Sequence, residues 1–177
     1  MNDLIRGAIA GAAATLPMTA TIELINRSLP PGEQRHLPPR QITEEVAERA
    51  DVKHETSERG LDIATMTTHF GFGAAMGTLY GLGAPALRLP PALTGIGYGL
   101  AVWAGNYAGI LPALGLQRAP KHRPASLNAT MIIGHVVWGA ALGLVEERLR
   151  ARRRDEWQEY QEETYAEART RLAPQDR

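Results

Sequence analysis

Charge is almost absent from four stretches of the chain, Leu4–Ile25, Asp62–Gly83, Leu93–Leu114 and Ser126–Val145. Each has about the length needed to cross a hydrocarbon core of roughly 30 Å as a helix. The 36, 9, 11 and 32 residues between and after them hold nearly all the charge. This segregation predicts an all-α fold: a four-helix transmembrane bundle over residues 1–146. A short amphipathic helix follows the first span at about 39–51, and a charged helical tail occupies 147–177. The competing reading is a soluble bundle with four buried helices. The mean hydropathy of −0.22 does not decide between them, because the polar segments pull it down.

Proline and glycine mark the connections. "APALRLPPA" and "GLQRAPKHRPA" are short and Pro-rich, which predicts antiparallel neighbours. Pro17 removes a backbone donor inside the first span and crowds the carbonyl of Ala13, with Thr15, Thr19 and Thr21 nearby to satisfy it. In the first long connection, Pro39 suits a helix start, and Ile42, Val46, Ala47 and Ala50 fall on one face.

In lipid, close helix packing needs small residues at the contacts. Gly7, Gly11, Thr15, Thr19 and Glu23 form one four-residue row, and Thr65, His69, Gly73, Gly77 and Gly81 a second. The third span offers Gly97, Ala101, Gly105 and Gly109, and the fourth His135, Gly139 and Gly143. Residues four apart share a helix face, so these rows are expected to meet other helices.

The polar residues lie on or beside the rows. Counted from the side of the long connection, His69, Asn106, His135 and the Thr15–Thr19 pair around Pro17 all lie roughly 10–15 Å deep at 1.5 Å per residue. A polar layer of Thr15, Thr19, His69, Asn106 and His135 is therefore expected, with Glu23 and Asp62 at its rim. Three roles suit it: hydrogen-bonded packing, a hydrated cavity on a solute or proton path, or a histidine pair for a metal or haem. Trp103, Tyr107 and Trp138 are expected to pack around the layer, and Tyr80 and Tyr98 to sit at the membrane interface.

Composition narrows the chemistry. Nineteen basic residues balance nineteen acidic ones, so nothing points to nucleic acid. With no cysteine, disulfides, thiolate metal sites and cysteine nucleophiles are excluded. No nucleotide-binding, metalloprotease or hydrolase motif occurs, so no enzyme activity, cofactor or metal is expected. The tail is basic, then acidic. Arg148, Arg150, Arg152, Arg153 and Arg154 suit either a solvated surface or a collar on anionic lipid. The partners expected are the bilayer, a second copy of the chain or another membrane protein. Arg6, Arg88 and the tail cluster favour termini inside.

Two short pieces, "LPPR" at Leu37–Arg40 and "GHVVW" at Gly134–Trp138, resemble the YagU-like family of bacterial inner-membrane proteins. The resemblance implies a small multi-pass membrane protein with no established biochemical activity. It covers the helix order and these two motifs, and neither motif carries a catalytic role.

Overall fold

The computed structural model describes residues 2–30, 32, 34, 37–83 and 89–172; Arg88, most of the turn that contains it and the last five tail residues lie outside these. The described residues form helices and no strands. They are α1 (Asp3–Ser28), α2 (Pro38–Arg49), α3 (Glu58–Gly83), α4 (Pro91–Ala104), a one-turn α5 (Leu111–Ala113) and α6 (Ala125–Leu172). A π-helical segment, Gly105–Ile110, joins α4 to α5.

Local chemistry fixes the ends. Asn2 accepts the Ile5 N–H at 2.9 Å and caps α1. Pro38 and Pro39 begin α2, where missing N–H groups cost nothing. Asp51 takes the left-handed position after α2 (φ 58°), and the Val52 N–H closes back onto the Ala47 carbonyl at 3.0 Å. The helix runs unbroken through Pro17. Thr15, Thr19 and Thr21 donate to Gly11, Thr15 and Pro17 rather than to Ala13. The third span is not one regular helix as expected. Pro112 leaves the Ala108 carbonyl without its usual donor, and the Asn106 side-chain amide takes the Val102 carbonyl at 2.9 Å. The backbone widens there into the π turn.

The helices pack in the order α3–α1–α6–α4, with little contact between α3 and α4. Connection length therefore does not set the main neighbours, since the short turn joins two helices that make little contact with each other. Glycine pairs set them. A Cβ on Gly77 would fall 2.6 Å from Gly11 Cα, and one on Gly139 would fall 2.7 Å from the Gly95 carbonyl carbon. Gly7, Gly11, Gly73, Gly77 and Gly81 thus form the α1–α3 seam, and Gly139 and Gly143 face α4. Gly105 and Gly109 do not pack, because a Cβ there would meet nothing within 4 Å. The working pair on α4 is Gly95 and Gly99, two residues out of step with the Gly97–Gly109 row and so on its opposite face.

The interior mixes large apolar and aromatic side chains, Met18, Tyr107, Met131, Trp138 and Leu142 among them, with small and polar ones, and many leucines and isoleucines face outward. Ala10, Ala14, Thr15, Thr65 and His135 are buried. Leu16, Leu24, Ile63, Leu79, Leu82 and Leu93 are each more than half exposed. Among the described residues, two helices are long and apolar enough to cross a membrane, Asp3–Ser28 and the Ala125–Ala166 part of α6. Tyr80 is buried rather than interfacial. Its ring lies 5.3 Å from that of Tyr98, which in turn stacks on Trp138.

Candidate functional site

Tyr98 bridges α3 and α4 by donating to the Met76 carbonyl at 2.8 Å. Toward the α2 side of this bridge a cavity of about 250 Å³ opens between the helices. Thr15 of α1, His69 of α3, Asn106 of the π segment and His135 of α6 all line it. Four of the five residues of the expected polar layer therefore meet at one place. Thr19 is not among the lining residues; its hydroxyl donates to the Thr15 carbonyl at 2.7 Å. The remaining wall is mainly apolar and aromatic, with Met18, Phe72, Met131 and Trp138 prominent.

The two histidines differ. His135 is 6% exposed, and its Nδ1–H donates to the Met131 carbonyl at 2.7 Å. A carbonyl can only accept, so neutral His135 carries its proton on Nδ1 and keeps Nε2 as an acceptor. The Tyr107 ring stands edge-on to the imidazole at 6.0 Å and fixes its plane. His69 is partly buried, touches the Phe70 ring and has no side-chain hydrogen bond among the described residues. The cavity thus offers one positioned acceptor and one adaptable donor–acceptor. No group of three or more His, Asp or Glu converges among the described residues.

In the "GHVVW" stretch, Gly134, His135 and Trp138 each meet a different neighbour. A Cβ on Gly134 would meet Ile22 at 2.6 Å, so α1 crosses there. His135 enters the cavity, and Trp138 Nε1–H donates to the Gly11 carbonyl at 3.3 Å.

The "LPPR" stretch holds the opposite wall. Pro39, Ile42 and Thr43 of α2 line the cavity, so α2 covers the gap between α3 and α5. Its buried face is Pro38 and Ala47, while Val46 and Ala50 of the expected apolar stripe are exposed. Arg40 ties one end of α2 down, binding Glu44 at 2.6 Å, Glu58 at 2.5 Å and Asp62. The hydrogen bond to Glu44, then those to the other carboxylates, hold its pKa above the ordinary arginine value. Arg49 ties down the other end through the Leu114 and Gly115 carbonyls, both at 2.8 Å. Of the expected rim pair, Asp62 belongs to the Arg40 cluster and Glu23 pairs with Arg27 on α1 at 2.8 Å. Arg40→Gln is expected to speed hydrogen exchange across α2 and leave the α1–α3 seam protected. Equal protection of α2 in both proteins would show that Arg40 is not its anchor.

The end beyond Tyr98 carries a network absent from the sequence-based expectation. Arg6 and Glu146, 2% and 3% exposed, pair at 2.8 Å. Arg150 joins Glu146 at 2.7 Å, and Asp3 joins Arg6 at 2.8 Å. Arg153 also reaches Asp3, and Arg154 pairs with Glu147, so the tail arginines are not one free collar; Arg148 and Arg152 are exposed. The hydrogen bond and charge of Arg6 hold the Asp3 carboxyl below its usual pKa.

These features define a class: a helical bundle seamed by glycines, apolar outside, with a polar-lined cavity under a short covering helix. The chain belongs to the family of proteins of unknown function DUF1440, whose model matches residues 20–144. That stretch includes α2, α3, His69, Asn106 and His135. No curated protein and no solved structure matches the chain.

Proposed function

We propose that the protein is a multi-pass membrane protein whose cavity binds a small, mostly apolar molecule bearing one hydrogen-bonding group. The observation that carries this is the convergence of Thr15, His69, Asn106 and His135, from four elements, on one otherwise apolar cavity. Binding sites commonly combine an apolar wall with a few placed polar groups. The exposed leucine and isoleucine faces, the two long apolar helices and the YagU-like resemblance support a bilayer location. The same resemblance favours the bacterial inner membrane, with termini inside on the arginine tally. We read the role as accessory rather than enzymatic.

A through-path for solute or protons is the weaker reading. Trp138 in the cavity wall stacks on Tyr98, whose ring lies tilted against that of Tyr80, and the buried Arg6–Glu146 pair lies at that end of the bundle. This arrangement favours a dead-ended pocket. An absorption spectrum without a Soret band would remove the haem reading.

The test is ring-resonance NMR of the two histidines in the reconstituted protein, with phenol as the probe. Saturable shifts of His69 and His135 are expected, and Ile42→Trp, which fills the cavity from α2, abolishes them. An absence of saturation in the native protein, or shifts that persist in Ile42→Trp, would contradict binding there.

A further inference from the structure

The loop between α5 and α6 carries Arg118, Lys121, His122 and Arg123, and none of the four forms an ion pair among the described residues. Arg118, His122 and Arg123 line a groove against Gln41 and Glu45 of α2. Glu45, the acid in this wall, is engaged by Arg49 at 2.8 Å. Arg49 also holds the loop in place through the Leu114 and Gly115 carbonyls, and Gln117 donates to Gln41 at 3.3 Å. The groove is therefore built from fixed backbone and is rich in unopposed positive charge.

Arg123 gives the groove a direction. Its Nη2 is shut away from solvent and has no hydrogen-bond partner. Its guanidinium carbon sits 5.4 Å from the centroid of the Tyr107 ring. An aromatic face attracts a cation but does not replace the oxygen acceptors that a guanidinium loses on burial. Burial also lowers the Arg123 pKa, the sign of a positive charge held without a counter-charge. Nε and Nη1 have no acceptor among the described residues either and, unlike Nη2, are not shut off from solvent, so the guanidinium keeps donors that match the oxygens of a phosphate.

We propose that this groove binds a phosphate oxyanion, with Arg118 and Arg123 as the ligating groups and His122 beside them. The lipid headgroup and free phosphate share this chemistry. The groove and the histidine cavity share no lining residue, although Arg123 sits over the Tyr107 ring of the cavity wall; the phenol experiment uses no loop variant, so failure here would leave it untouched.

The test uses the full chain in phosphatidylcholine nanodiscs, with the thermal midpoint as readout. One arm adds phosphatidylglycerol to the discs, and the other adds inorganic phosphate against chloride at equal ionic strength. A saturable rise in midpoint is expected for the native chain and for R148Q/R152Q, which loses the same charge on the tail. Half-saturation should need at least about tenfold more probe in R118Q/R123Q, the effect of losing charged hydrogen bonds. R118K/R123K should restore most of it. If R118Q/R123Q does not fold, R118Q alone, on an exposed side chain, carries the comparison. A rise with phosphatidylglycerol alone assigns a lipid headgroup, and a rise with both probes assigns the oxyanion itself. No rise with either probe, or equal half-saturation in the loop and tail variants, overturns the proposal.

Discussion

Glu146→Ala is expected to destabilise the protein by about 3–5 kcal/mol, because it leaves Arg6 as a buried charge without its main partner. The loss comes from the abandoned guanidinium, not from any large net gain in forming the pair. Removing both charges with apolar residues of similar size, Arg6→Met with Glu146→Leu, should therefore recover much of the stability. Denaturant unfolding of the two variants beside the native protein makes the comparison. A double variant as unstable as Glu146→Ala would show that the network contributes through geometry rather than charge balance. Asp3 adds a pH signature. Its depressed carboxyl pKa means that its contribution is complete above the ordinary aspartate range. The contribution is lost as pH falls through the folded value, and Asp3→Asn should flatten that acid limb.

The second large effect belongs to the glycine seams. Gly77→Val would place its Cβ 2.6 Å from Gly11 Cα and 2.8 Å from Gly11 N, both backbone atoms that cannot turn aside. A cost of about 3 kcal/mol, the upper end for overpacking, is expected, with α1 and α3 forced apart. Gly105→Ala is the matched control, since its new methyl group meets nothing. It should be neutral or stabilising by up to about 1 kcal/mol through the helix preference of alanine. Similar losses in both variants would mean that the seam is not where α1 and α3 meet.

These two effects also mark how far the sequence could be read. The α1–α3 seam was legible because on each helix the glycines at four-residue spacing form one row, Gly7 and Gly11 on α1 and Gly73, Gly77 and Gly81 on α3. On α4 two rows lie two residues apart, and the longer one faces outward, so length alone chose the wrong face. The convergence of His69, Asn106 and His135 was legible from depth, since they fall at one level on helices of alternating direction; that they line a cavity rather than pack against one another was not. The Arg6–Glu146 pair was not legible. Its members are 140 positions apart, and a charge at the end of an apolar stretch ordinarily reads as solvated. Pro112 was the missed sign of the π turn, since it withdraws the donor that would have kept the helix regular. Nothing in the sequence sets Arg123 apart from the other basic residues of its loop, because its environment depends on Tyr107 from a different element.

The proposed membrane location requires the exposed leucine and isoleucine faces of α1, α3 and α6 to meet lipid while the histidine cavity and the glycine seams lie inside the bundle. The chain has no cysteine, so spin labels can be placed one at a time at Leu16, Leu79 and Leu144, all on the exposed faces of α1, α3 and α6. In a reconstituted bilayer these three labels should collide freely with oxygen and hardly at all with a water-soluble nickel chelate. Strong collision with the chelate at all three positions would place those faces in water and contradict the account.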